Sequence, residues 1–321
     1  MHCELVVPGL LSGNSLGRFP SIELLLGRGR RQGKPASGFE SFLMGIFGLQ
    51  GESVPAGALT LLAANGNPGE SSWLRADPVH LRLMRDRLVL APAEALELSR
   101  EEAGALCAAL NGHFAGAMEF KAVDPRRWCA RTERYFSSNP ASSLDDAGRE
   151  VRSGDPLLNE IQMLLHAHPV NEAREARGEP AVNSLWLWGA GRAPKVAPTW
   201  HSVLADDPVA LGLARLGGAR HAALPAAAGA WLERSPEEGR HLVVLDTLRA
   251  PAALDDFSSF EKHLNLLETA WFAPILAALR SQRIGMLTVH VPDGGAAASF
   301  ETVRGDLRRL WRRARTLQSY A

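Results

Sequence analysis

The run Asn159 to Arg174, NEIQMLLHAHPVNEAR, and the strand-like stretch after it collect the residue types that hold small anions. Arg174 offers a planar fork of donors that suits a phosphate or a carboxylate, and His168 and Asn171 add directional hydrogen bonds. Downstream, Gly189 and Gly191 would let backbone amides approach an anion closely. The same residue types also occur on ordinary surface helices. Two lone acids, Asp246 after HLVVL and Asp293 after MLTVHVP, stand where strands end. They read either as metal ligands or as caps of loops, and with no histidine beside them the loop reading is preferred. His166-Ala167-His168 has metal-ligand composition, but side chains two residues apart on a helix diverge. HExxH, the P-loop, a glycine-rich dinucleotide turn after a strand and GxSxG are all absent from the sequence.

The elements that must position these groups alternate along the chain. Leu5-Val6-Val7 reads as a buried strand ending at Pro8-Gly9, and helices follow over Ser21–Leu26 and Phe39–Leu49. Ala56–Asn67 reads as a glycine-marked loop. Trp73–Leu90 alternates as a hairpin turning at Arg85-Asp86-Arg87, and Ser99 with Glu102 forms a capping box for a helix through Leu110. Two short strands over Phe114–Ala130 complete a compact α+β insertion, and the polar stretch Ser137–Pro156 reads as a linker. Helices at Leu157–His166, Asp207–Leu216 and Phe260–Arg280 then alternate with strands at Asn183–Trp188, His241–Leu245 and Met286–Val291. Such alternation predicts a mostly parallel sheet with ligands outside its strand C-termini, which would gather Pro8-Gly9, Trp188-Gly189, Asp246 and Asp293.

The chain has 321 residues, 46% apolar and 22% charged, which allows one large α/β domain or a core carrying an insertion. Thirty-five basic residues balance thirty-five acidic ones, which argues against general nucleic-acid or anionic-membrane binding. The basic cluster Arg304–Arg315 reads as the solvated face of a helix. Cys3, Cys107 and Cys129 have no CxxC spacing and read as reduced, buried thiols. The N-terminus reads as a first strand and not a signal peptide, and no apolar run reaches membrane-spanning length, so a cytoplasmic location is expected.

The block HPVNEAREARGEPAVNSLWLWGAGRAPK resembles the HPVN, Arg, Gly, Asn, WGxG, Pro block of archaeal-type cofactor-independent phosphoglycerate mutases, in the alkaline phosphatase superfamily. PSIELLLGRG, FLMGIFGLQ, SSWLRADPVHL, LSREEAGALCAALN, DPVALGLARLG and LNLLETAWFAPILAALR are similar to further family segments in the same order. The resemblance implies an α/β, alkaline-phosphatase-like core over residues 1–70 and 155–321, with a mostly parallel sheet flanked by helices. Residues 71–154 would form a smaller inserted α+β lid domain and its linker. It further implies substrate-binding roles for His168, Asn171, Arg174, Asn183 and, on the insertion, Arg75.

The family's chemistry uses two divalent metals held by Asp and His, and a serine that carries the phosphoryl group. This chain departs from that pattern. Pro8-Gly9 stands where the first metal Asp belongs. The serine position falls near Phe39, leaving Ser41 as an off-register candidate for catalysis. Asp246-Thr247-Leu248-Arg249-Ala250 and Asp293-Gly294 each lack the family's histidine. Asp246 and Asp293 remain as metal candidates able to hold one weak Mg²⁺ or Mn²⁺. The resemblance therefore implies a binding or regulatory protein for a phosphorylated small molecule, with a degenerate catalytic centre. The alternative is an active metal-dependent phosphoglycerate mutase or phosphatase with an altered metal site.

Overall fold

Cys3, Glu4, Leu5 and Val6 are all buried, which puts the first strand inside its sheet with both faces covered. The computed structural model describes every residue except 13–16, 36–37, 50–52, 85–86, 133–141, 143, 148–149, 152–154, 235–237, 294–295, 310 and 321. In chain order the strands are β1 His2–Val6, β2 Arg30–Pro35, β3 Trp73–Met84, β4 Arg87–Ala91, β5 Met118–Asp124, β6 Arg127–Thr132 and β7 Glu150–Val151. They continue with β8 Ser184–Gly191, β9 Ser202–Leu204, β10 Arg220–Ala222, β11 Arg240–Val244, β12 Met286–Asp293 and β13 Ala296–Val303. The helices are α1 Pro20–Arg28, α2 Phe39–Ile46, α3 Ala56–Ala63, α4 Arg100–His113, α5 Pro156–His166 and α6 Pro169–Ala176. Then come α7 Pro208–Leu216, α8 Ala228–Arg234, α9 Arg249–Ala253, α10 Phe257–Leu266 and α11 Ala273–Arg280.

The chain forms two units, residues 1–50 with 195–321 and residues 51–194. The first holds a sheet in the order β10-β9-β11-β1-β12-β13-β2. Strands β10, β9, β11, β1 and β12 run parallel, and β13 and β2 extend the edge antiparallel. Leu5 sits beside Val243 and Val289, and this face packs against Ile22 of α1, Trp231 of α8, Phe260 of α10 and Ile275 of α11. The opposite face carries Glu4 and His290, with the ring of Phe42 of α2 tilted against the His290 ring at 5.3 Å between centres. This is the mostly parallel, helix-flanked sheet that the alternation of elements predicts. No helix among the described residues is long and apolar enough to cross a membrane.

The second unit is interrupted by no other part of the chain and is built on antiparallel pairing, β5-β6-β3-β4-β7, with β8 also joined to β3. The unit boundaries differ from the expected 70/71 and 154/155, because residues 51–70 and 155–194 belong with the insertion. Two features account for this. The stretch read as a loop at Ala56–Asn67 begins with the helix α3, whose apolar residues seat on β3 and β8. The strand at 184–191, expected in the parallel sheet, instead pairs antiparallel with β3 over Val79↔Ser184 to Arg75↔Trp188. The hairpin β3–β4 and the Ser99 capping box form as the sequence indicates. The hairpin's turn at 85–86 lies outside the described residues, as does most of the linker expected over 137–156.

Two further expectations change for local reasons. The long helix expected over Phe260–Arg280 is continuous in α10 and α11 but passes through a π-helical turn at Leu267–Phe272. Pro274 has no N–H to donate, and a widened turn accommodates that loss. The Arg304–Arg315 cluster forms a short 3-10 turn at Arg304–Arg308 instead of a helix, and Trp311 is 78% exposed. All three cysteines are free and buried, and burial pushes the Cys107 and Cys129 thiols up to about 12.

Close packing of α3 on β3 sets a demand on Gly57. A Cβ there would lie 2.4 Å from the backbone of Leu74, which is too short for any real contact. Gly57→Ala is expected to destabilise the protein by about 1–3 kcal/mol or more, because the helix must lift from the sheet. Thermal unfolding of the variant checks this, and an unchanged melting temperature would contradict the packing described.

Candidate functional site

In the parallel sheet the candidate position is the C-terminal edge of β1, between its neighbours β11 and β12. Val6 sits beside Val244 and His290, so Asp246 and Asp293 leave the sheet on either side of Pro8-Gly9. Two strand spacings separate β11 from β12 by roughly 10 Å. Gly9 has φ +81°, and a Cβ there would lie 3.2 Å from the carbonyl oxygen of Leu248. The position thus favours glycine on both backbone and packing grounds.

Asp293 accepts hydrogen bonds from Gly9 N at 3.0 Å and Ser12 Oγ at 3.3 Å. Burial raises its carboxyl above the ordinary aspartate range, with those two donors partly opposing the rise. On the other side, the loop that begins at Asp246 leads into α9, and Arg249 Nη1 pairs with Glu40 Oε1 at 2.7 Å. The Arg249 guanidinium also lies 4.6 Å from the centre of the Phe39 ring. Ser41 follows Glu40 in the first turn of α2 and is half-buried. The gathering of Pro8-Gly9, Asp246 and Asp293 at one sheet edge is as the topology requires. Trp188-Gly189 lies in the other unit's antiparallel sheet.

Among the described residues no group of three or more His, Cys, Asp or Glu could hold a metal ion. Asp293 is already an acceptor for two protein donors. A two-metal centre requires several anionic or imidazole ligands converging on each ion. The described residues do not supply them.

Close to this edge, the face of the sheet that carries Glu4 and His290 holds a buried polar chain. Glu4 Oε2 lies 2.9 Å from His290 Nε2, and His290 Nδ1 lies 2.7 Å from Ser299 Oγ. Arg240 reaches Glu4 Oε1 at 2.8 Å. Burial works against the Glu4 carboxylate, but His290 and Arg240 outweigh it and hold its pKa below the ordinary range. Carboxylate, imidazole and hydroxyl in series resemble the order used to activate a serine nucleophile. Ser299, however, is only 6% exposed and the Phe42 ring packs at a tilt against the histidine, so the series fastens β1, β12 and β13 together.

The remaining sequence candidates all fall in the second unit, where each makes hydrogen bonds within its scaffold. His168 caps α6, its Nδ1 accepting from Val170 N at 3.2 Å, while His166 ends α5. Asn171 is 1% exposed. Its Nδ2 donates to the carbonyls of Leu165 and Val182, and its Oδ1 accepts from Val182 N. Asn183 does the same for Leu81, taking its N–H at 2.7 Å and donating to its carbonyl at 2.9 Å. Arg174 donates to the carbonyls of Pro180 and Leu96 and pairs with Glu102 at 2.9 Å. Arg75 is buried against Asp77 and lies 5.4 Å from the Trp188 ring.

Asparagine and arginine side chains are good anion ligands and equally good substitutes for backbone partners in irregular segments, and here they play the second part. The signal that could separate the two is local. Asn171 and Arg174 flank turns rich in Gly and Pro, whose carbonyls need donors. The Arg249–Glu40 pair, by contrast, joins segments far apart in sequence and gave no local signal.

No family model matches the chain. A stretch of 51 residues is 39% identical to the 2,3-bisphosphoglycerate-independent phosphoglycerate mutase of Methanosarcina barkeri, covering 16% of this chain and 13% of that one. A stretch of 41 residues is 44% identical to the probable 2,3-bisphosphoglycerate-independent phosphoglycerate mutase of Geobacter sulfurreducens, covering 13% and 10%. The matched stretches thus span only a small part of these relatives' length. Among solved structures, the PH0037 protein from Pyrococcus horikoshii is similar in fold, with a TM-score of 0.59 at 14% identity over 94% of this chain and 87% of that one. The cofactor-independent phosphoglycerate mutase from Thermoplasma acidophilum aligns with a TM-score of 0.42 at 17% identity over 95% and 90%. In a short part of its sequence, then, this chain is phosphoglycerate-mutase-like.

Proposed function

We propose that this chain is a phosphoglycerate-mutase-like protein that does not catalyse phosphoryl transfer and acts by binding, as a regulatory protein for an anionic or phosphorylated small molecule. The observation that carries the reading is the sheet edge at Gly9. No carboxylate is available at the end of β1, Asp293 is spent on Gly9 and Ser12, and Arg249 is neutralised by Glu40. Phosphoryl transfer needs concentrated, unspent positive charge where the transferring oxygens develop theirs. An edge whose charges are already paired does not provide it. The local sequence similarity to phosphoglycerate mutases supports the ancestry on which the reading rests.

Incubation of the purified protein with 3-phosphoglycerate and Mn²⁺ tests the catalytic half. The expected result is no 2-phosphoglycerate above the protein-free control. Turnover that Asp246→Ala abolishes would establish the rival reading, an active enzyme with an altered metal site. The binding half is tested by thermal unfolding, since a ligand that binds only the native state must raise the melting temperature. A rise with 3-phosphoglycerate that glycerate does not produce is expected. Identical melting with both, and with no ligand, would reduce the protein to a scaffold.

A further inference from the structure

In the first unit the arginines of the C-terminal segment meet those at the end of α1 and the start of β2. Arg28 Nη1 donates to the Leu307 carbonyl at 2.9 Å, and Arg312 Nη1 donates to the Gly29 carbonyl at 3.0 Å. A Cβ at Gly27 would lie 3.1 Å from the carbonyl oxygen of Arg313, so the segment rests directly on the end of α1. Leu317 and Tyr320 fix its far side by joining the core, and Arg315 N donates to Tyr320 Oη at 3.0 Å. Residues 304–315 contain six arginines and a single acid, Asp306. The even charge of the whole chain hides this local excess.

Scaffold contacts account for only part of the cluster. Arg28 and Arg312 serve carbonyls, Arg309 pairs with Asp306 at 2.9 Å, and Arg30 pairs with Glu301 at 2.6 Å. Arg304 donates to Gln282 Oε1 at 2.6 Å. Arg308, Arg313 and Arg315 are exposed, and their guanidinium groups have no partner among the described residues. Arg31 is exposed as well, and its guanidinium lies 5.8 Å from the centre of the Phe300 ring. Trp311 stands between Arg308 and Arg313 in sequence. Arg312 N donates to the Arg309 carbonyl at 3.0 Å, and at this turn the indole is 78% exposed. The other seven tryptophans are at most 6% exposed. An indole held in solvent among unpaired guanidinium groups adds little to the packing.

From this juxtaposition we propose that the surface formed by Arg308, Trp311, Arg313 and Arg315, with Arg31 beside it, binds single-stranded nucleic acid. Guanidinium forks match phosphate oxygens, and an exposed aromatic ring gives an unpaired base a face to stack on. The segment is irregular beyond the turn at Arg304–Arg308, so it offers no helix to the major groove of a duplex. An anionic bilayer would call for a continuous apolar face. Among the described residues of 304–315, Trp311 is the one large apolar side chain exposed. The surface lies toward the start of β12, where Met286 pairs with Val303, whereas Asp293 ends that strand beside Ala296. It is separate from the edge at Gly9, and binding there is independent of the function proposed above.

The test titrates the full-length protein into a fluorescein-labelled oligothymidylate of about 16 nucleotides, followed by fluorescence anisotropy at several salt concentrations. Saturable binding that weakens steeply with salt is expected, because phosphate contacts release counterions. In the triple variant Arg308→Gln, Arg313→Gln, Arg315→Gln the slope of log affinity against log salt should shrink by about 2, at roughly 0.7 per lost contact. Trp311→Ala should weaken binding about fivefold or more and leave that slope unchanged, a split that a purely electrostatic surface would not show. No saturable binding at low salt, equal affinity for a duplex of the same length, or unchanged affinity in Trp311→Ala overturns the proposal. Binding to phosphatidylserine vesicles without binding to the oligonucleotide overturns it too, and would make the surface a membrane contact. Should the triple variant fail to fold, Trp311→Ala decides alone.

Discussion

Arg174→Ala is expected to lower the stability of the protein by about 3 kcal/mol or more while leaving any response to phosphoglycerate in the remaining folded molecules intact. The side chain is 1% exposed and serves three separate segments at once. Its Nε donates to the Pro180 carbonyl at 2.9 Å, its Nη2 donates to the Leu96 carbonyl, and its Nη1 pairs with Glu102 of α4 at 2.9 Å. Removing it strands two carbonyls and leaves a cavity the size of a long side chain. Glu102 is less exposed to the loss, because Arg177 holds it at 2.7 Å and Ser99 N donates to it at 2.9 Å. Arg174→Lys should recover little, since an ammonium cannot reproduce a planar fork serving acceptors in several directions. Urea unfolding compared with thermal shifts in 3-phosphoglycerate separates the outcomes. A variant as stable as the parent but blind to the ligand would return Arg174 to the role its residue type first suggests.

The contrast between elements and side-chain roles has a physical basis. Strands β1, β11 and β12 are short apolar runs bounded by turn residues, and helices α4, α5 and α7 begin with a Ser or Asp cap. Each of those signals lies within a few residues, so the sequence displays it directly. Helix α3 was hidden for the opposite reason. AGALTLLA is apolar on all sides because it is buried, and the glycines and proline that surround it resemble a loop. Strand β8 shows the same limit in partner choice. SLWLW is buried on both faces, as a parallel strand would be, yet its apolar partner surface is an antiparallel hairpin strand. The site was least legible, because Asn171 as an anion ligand and Asn171 as a clamp on Leu165 and Val182 require the same letter. What decides between them is which carbonyls lack donors once the chain has turned, and that depends on the assembled backbone.

The largest effect of that kind is expected at Asp77. On β3, Arg75 and Asp77 point to one face, and Trp188 of β8 lies beside Arg75 in register. Arg75 Nε and Nη2 donate to Asp77 Oδ1 at 2.9 and 2.6 Å, Trp188 Nε1 donates to Oδ2 at 2.7 Å, and Arg75 Nη1 reaches Thr60 Oγ1 of α3 at 3.3 Å. Burial pulls the pair in opposite senses. It raises the Asp77 carboxyl toward the neutral acid, whereas Arg75, despite the same burial, is held above arginine's ordinary value by Asp77. The geometry decides for the ionised pair, because three N–H donors converge on one carboxylate and a neutral acid would have to turn its proton into them. Asp77→Asn keeps the shape but leaves the guanidinium charge buried without its counter-ion, at a cost of about 3–5 kcal/mol. Replacing both partners with apolar residues, Arg75→Met with Asp77→Leu, removes the charge altogether. The Trp188 N–H then lacks an acceptor, at about 1–3 kcal/mol, and the Thr60 hydroxyl loses its long 3.3 Å contact, so the double variant should unfold later than Asp77→Asn alone. Unfolding curves for Arg75→Met, Asp77→Leu and the double complete the cycle, with Asp77→Asn measured beside them. If Asp77→Asn costs less than about 1 kcal/mol, as exposed ion pairs do, the cluster is open to water and its role as the fastening of α3, β3 and β8 is wrong.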